Sequence, residues 1–116
     1  MSDGHGAGNL FSLPSSKGRA ELFEELFRGQ TYRVERICSR GQASPPGFWY
    51  DQDHAEWVLL LQGSAGLQFA GEEERLLVPG DYILIKPHEK HRVNWTAPEQ
   101  TTVWLAIHEI PQEGTA

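Results

Sequence analysis

The sequence predicts an all-β domain built as a jelly-roll barrel, with a short helical or edge segment at its N-terminal side. Three observations carry that expectation. From Thr31 onward the chain breaks into short β-branched or aromatic runs. Glycine and proline turns separate these runs at roughly the ~8–12-residue spacing of all-β barrels and sandwiches. The length, 116 residues, is one domain's worth on the usual ~100–200 residues per domain, so a single core must hold any site. A chain of this size buries roughly 60–70% of its unfolded surface and needs no disulfide or zinc staple.

Taken in order, residues 1–18 are rich in glycine and serine, with Leu10, Phe11 and Leu13 as their bulky apolar group, and read as a flexible tail. His5, between Gly4 and Gly6, goes with that tail as a solvated side chain. In 19–28, Leu22, Phe23, Leu26 and Phe27 recur at helical spacing behind possible caps at Ser15 and Ser16. A short amphipathic helix is the first reading, and an edge strand packing the same aromatics is the alternative. Strands are then expected at 32–38, 48–51, 57–61, 66–69, 75–78, 82–86, 91–95 and 102–108. Gly41, Pro45-Pro46-Gly47, Gln62-Gly63-Ser64, Ala70-Gly71-Glu72, Pro79-Gly80-Asp81 and Ala97-Pro98 mark the turns between them. Eight short strands suit a jelly roll. In the last strand Val103, Leu105 and Ile107 share one face while Thr102, Trp104, Ala106 and His108 share the other, and alternation alone does not say which looks inward. The domain is expected to span 19–110, with 111–116 a second tail.

Composition excludes several function classes. Sixteen acidic against ten basic residues give a net charge of −6, and the scattered Lys and Arg form no cluster to follow a phosphate backbone, so nucleic acid is not an expected partner. The longest apolar runs, such as 57–61, fall far short of the ~20 residues of a membrane span, and the N-terminus lacks a secretion-signal layout. A cytoplasmic protein without membrane contact is the expectation. Cys38 is a lone cysteine in an apolar alternation and reads as a buried structural thiol. No Gly-rich phosphate loop, nucleophile elbow or Cys-x-x-Cys is present.

Two spacings carry chemistry. Glu56 stands at the head of a strand that runs to a glycine turn at Gly63, and Gly80 opens a second apolar strand that ends in Lys86-Pro87-His88-Glu89-Lys90-His91. The span 47–108 resembles the two-motif core of the cupin superfamily, small β-barrels that commonly hold a divalent metal and a small molecule in their mouth. Glu56 and Gly63 match the later half of the first motif. Its paired histidines are absent, and Tyr50, Asp51 and Gln52 occupy that stretch, with His54 in the short turn before the glutamate. Gly80 and His91 match the two ends of the second motif. Lys86-Pro87-His88 replaces its Pro-x-Gly turn, with His88 where glycine is expected, and Asn94 falls one residue early.

The resemblance implies a divalent ion (zinc, iron, manganese or nickel) held by Glu56 and His91, with Gln52, Asp51, His54 and His88 as the further candidates. Such an ion wants three or four imidazole, carboxylate or amide donors converging from rigid elements. The plain structural alternative is a Glu56 that faces solvent or pairs with Arg92 and a His91 that hydrogen-bonds within the barrel. Trp49, Tyr50 and Gln52 are candidates for walling a small-molecule pocket, since such pockets are mostly apolar with a few placed polar groups. Two functions are therefore expected in competition: a metal-dependent enzyme acting on a small organic molecule, and a metal-free binding protein in which Tyr50 and Gln52 hydrogen-bond the ligand. A homodimer is expected, because the segment holding Phe23 and Phe27 supplies apolar surface that a lone barrel does not fully cover.

Overall fold

A computed structural model describes residues 5–14 and 21–112. Eight strands follow in chain order: β1 (Leu22–Arg28), β2 (Tyr32–Ser39), β3 (Glu56–Gln62), β4 (Ala65–Phe69), β5 (Arg75–Leu77), β6 (Tyr82–Ile85), β7 (His91–Thr96) and β8 (Thr102–Glu109). They form two antiparallel sheets, ordered β1-β2-β8-β3-β6 and β5-β4-β7. The core lies between them, with Val58, Leu60, Ile85, Trp104 and Ala106 from the larger sheet meeting Ala65, Leu67, Phe69 and Leu77 from the smaller. Each large side chain taken fully from water, such as Leu60, contributes about 1.5–3 kcal/mol of transfer free energy.

The all-β expectation holds, with two corrections at the level of elements. The segment at 22–28 is an edge strand and not a helix: it pairs antiparallel with β2, and a register shift between Glu25 and Phe27 interrupts its alternation. That bulge gives the apolar residues a spacing that mimics one face of a helix. The caps read at Ser15 and Ser16 lie outside the described residues, as does 113–116 of the C-terminal tail. The second correction concerns 48–51, which is no strand. Only Tyr50 pairs, through an isolated bridge to His91, because the chain leaves Pro45-Pro46 through Gly47 at a φ of 74° and turns again after Asp51.

On β8 the face that looks inward is the one holding Trp104, Ala106 and His108. The turn at Gly63 explains its residue type. Its φ is 89°, and a Cβ placed there would stand 2.7 Å from the Thr102 Cα, so neither the backbone angle nor the neighbouring strand leaves room for a side chain.

Residues 9–12 lie against the outer side of β2. Arg36, 8% exposed, donates from Nη1 to the carbonyls of Leu10 at 3.1 Å and Ser12 at 3.0 Å, while Nε and Nη2 reach Glu24 Oε1 at 2.9 and 2.7 Å.

Candidate functional site

Cross-strand register assembles the site. Within the larger sheet Glu56 stands directly opposite both Ile85 of β6 and His108 of β8, and His108 stands opposite Arg33 of β2. One row across four strands thus carries a carboxylate, an imidazole and a guanidinium side by side on the inward face. Glu35 lies two residues from Arg33 on the same face.

The facing sheet and the 48–52 loop supply the other wall. Tyr50 and His91 exchange backbone hydrogen bonds, N to O, at 2.8 and 3.1 Å, and their rings stack with centroids 5.5 Å apart. His88 secures this loop: its N–H donates to the Gln52 carbonyl at 2.6 Å and its Nδ1 meets Asp51 Oδ1 at 2.8 Å. It does so at a φ of 63°, in the left-handed region that favours glycine, the residue type the resemblance leads one to expect at this position.

Together these elements enclose a cavity of about 490 Å³. Its polar lining includes Tyr50, Gln52, Glu56, His91, Glu35 and His108, and its apolar lining includes Val58, Leu67, Ile85, Val93 and Trp104. Glu56 and His91 are 7% and 4% exposed, so both are polar groups withdrawn from bulk water. Gln52 Nε2 donates to Glu56 Oε1 at 3.0 Å. Gln52 Oε1, also buried, has no hydrogen-bond partner. His91 Nδ1 lies 2.9 Å from the Glu89 carbonyl oxygen, which can only accept, so Nδ1 carries a hydrogen, and in the neutral ring Nε2 holds the lone pair.

A second group of contacts runs from the surface toward the same cavity. Asp53 Oδ1 lies 3.0 Å from His54 Nδ1, His54 Nε2 lies 3.1 Å from His108 Nδ1, and His108 Nε2 lies 3.1 Å from Glu35 Oε1. The two facing ring nitrogens need one hydrogen between them, since two lone pairs at that distance repel. His108 Nε2 is 3.6 Å from Glu56 Oε2, beyond hydrogen-bond length, so its bond goes to Glu35. Burial pushes the Glu35 carboxyl up, but the His108 hydrogen bond and the charges of His108 and Arg33 outweigh it and hold the group below its ordinary value. The Tyr50 phenol is pushed up by burial and by the charges of Glu21 and Glu56, so it keeps its hydrogen.

Of the residues expected at the site, Tyr50, Gln52, His54, Glu56 and His91 line one cavity. Asp51 and His88 do not join them; they pair with each other on the outside, their side chains 42% and 69% exposed. Trp49 does not line the cavity either, and carries the Arg92 guanidinium 5.8 Å from its ring centroid. Arg92 itself bonds Asn94 and the carbonyls of Ser44, Pro45 and Phe48, not Glu56. Glu35 and Arg33 were not singled out by sequence. Their signal is alternation in β2, which becomes legible only once the inward face is known.

A divalent ion would need more than this donor set offers. Among the described residues no group of three or more His, Cys, Asp and Glu side chains is placed to hold a metal ion. His54 is turned to Asp53 and His108, and the Gln52 amide nitrogen donates to Glu56 Oε1. The arrangement therefore does not fit the metal that the resemblance implies.

Comparison with known proteins agrees with the architecture. A family model described as a Cupin domain matches residues 39–108. A crystal structure from Ralstonia eutropha JMP134, described as a "putative mannose-6-phosphate isomerase", is 43% identical with a TM-score of 0.85, covering 90% of this chain and 98% of that one. An RmlC-like cupin from Shewanella frigidimarina NCIMB 400 is 15% identical with a TM-score of 0.70, covering 94% and 93%. KdgF from a Halomonas species is 16% identical with a TM-score of 0.68, covering 85% and 88%. No curated protein matches.

Proposed function

This chain belongs to the cupin superfamily, and from that premise we propose that it binds a small organic molecule in the mouth of its barrel without a divalent metal. The observation that carries this reading is a cavity of about 490 Å³ with apolar walls that also takes in Glu56 and His91, 7% and 4% exposed. Glu56 Oε2 has no partner within hydrogen-bond length, and a ligand's donor meeting it would recover the about 1–3 kcal/mol that an unmet buried acceptor costs. The apolar end supplies the non-directional part of the affinity.

The activity in the Ralstonia eutropha protein's description acts on a sugar phosphate, which needs cations to meet the phosphate. Among the described lining residues Arg33 is the one Lys or Arg, and Glu35 already holds it at 3.3 Å. A phosphorylated substrate is therefore not part of the proposal.

Metal analysis after reconstitution with zinc, iron, manganese and nickel tests the metal-free reading. Less than about a tenth of an equivalent is expected for each. A full equivalent that disappears in His91→Ala would overturn the reading and restore a metal-dependent enzyme. In parallel, an NMR fragment screen is expected to move signals of Tyr50, Gln52, His91 and Trp104 together. Fragments that perturb only surfaces away from these residues would refute the cavity as the binding site.

A further inference from the structure

We propose that the ligand of this cavity carries a hydrogen-donating head, an ammonium or hydroxyl group, on a compact apolar body, and that anionic heads such as phosphate and carboxylate are rejected. The proposal rests on the binding reading above and adds to it the chemical class of what is bound.

Glu56 Oε1 accepts one hydrogen bond, from Gln52 at 3.0 Å, and Oε2 has no partner within hydrogen-bond length, since His108 Nε2 stands 3.6 Å away. A carboxylate offers about four lone-pair sites, so most of its capacity is open. The Gln52 amide cannot be turned over, because that would set its oxygen against Glu56, so it stays a donor to Glu56 and its own oxygen is buried out of reach. His91 is the second: its Nδ1–H is spent on the Glu89 carbonyl, and in the neutral ring Nε2 offers a lone pair.

Two acceptors lining one pocket are complementary to a group that brings several hydrogens. An ammonium brings three on one atom, and a hydroxyl brings one and tolerates the Tyr50 phenol as a donor to its own oxygen. An anion would set oxygen against oxygen and nitrogen lone pairs. The lining's one guanidinium among the described residues, Arg33, is already paired with Glu35. Val58, Leu67, Ile85, Val93 and Trp104 form the apolar part, which fits a ring or a branched chain.

A matched series tests this: cyclohexylmethylamine, cyclohexylmethanol and cyclohexanecarboxylate share one body and differ in the head. Each is titrated near neutral pH with EDTA present, following the Trp104 indole and His91 signals by NMR. The amine should bind tightest, the alcohol next and the carboxylate at least ~10-fold more weakly than the amine, the scale set by one charge contact in a partly desolvated site. In Glu56→Gln the preference of amine over carboxylate should fall to about threefold or less. The wild-type ranking stands as a test even if that variant does not fold. A carboxylate that binds as tightly as the amine overturns the head-group inference and leaves the cavity reading intact. Silence from all three at about 10 mM overturns the cavity reading together with it.

Discussion

Glu35 is where opposing effects on a single residue can be measured. Burial raises its pKa, the hydrogen bond from His108 and the charges of His108 and Arg33 lower it more, and the net is a carboxyl held below its ordinary value. A folded-state pKa below the unfolded one contributes stability that is present above the unfolded pKa and is lost as pH falls through the folded value. Wild-type protein should therefore be more stable than Glu35→Gln at neutral pH. The gap between their melting temperatures should close as pH drops below about 4.5, where the unfolded carboxyl takes up its proton first. Melting temperatures measured at several pH values down to the acid range check this, and a pH-independent gap would assign Glu35 a packing role only. Cys38 gives the opposite case, a thiol that burial pushes up, which agrees with a structural cysteine and not a reactive one.

At the scale of elements, β-bulges decide what a sequence lets one see. Strands without them, such as β2 and β8, show clean alternation and were legible from the order of residues. In β1 the shift between Glu25 and Phe27 turned a period of two into an apparent helical period, and in β3 a shift between Leu60 and Gln62 lies within the apolar run. The site was legible where spacing along one strand and its turn sets it, which is why Glu56, His91 and their glycines stood out. Glu35 and His108 reach the same cavity through the pairing of β2 with β8 and of β8 with β3, and no local pattern encodes that register.

The first residues teach a related lesson, because a composition read as a tail contains carbonyls that a buried guanidinium needs. Deleting residues 1–12 removes the Leu10 and Ser12 acceptors and leaves Arg36 with Glu24 alone. An unmet buried donor costs about 1–3 kcal/mol, so the truncated chain should melt several degrees lower, by differential scanning calorimetry. An unchanged melting temperature would mean that water replaces these carbonyls at no cost.

For the whole molecule the outer face of the larger sheet raises the question of what covers it. The strand registers align Phe27, Val34, Ile107, Trp57 and Leu84 in one row across all five strands. Phe27, Ile107 and Leu84 of that row are 56%, 36% and 52% exposed, and Tyr82 beside it is 67% exposed. Val34 within the row is 6% exposed, so the open apolar surface is the patch of Ile107, Leu84 and Tyr82 around Trp57. A patch of that kind, unlike a single exposed apolar residue, is the pattern of an interface. We propose a second copy of the chain as its cover. A two-fold pairing lets the same row serve both partners, and a stable pair needs roughly 1,200–2,000 Å² of buried surface, which a five-stranded face can supply. Light scattering at micromolar concentration should give twice the 13.1 kDa chain mass. Leu84→Lys, on the outer face and away from the cavity, should return the mass to one chain while leaving binding in the barrel unchanged. A wild-type mass of a single chain would refute the pairing. A Leu84→Lys protein that stays double would move the interface to the β1 edge, where Phe23 and Phe27 are both exposed.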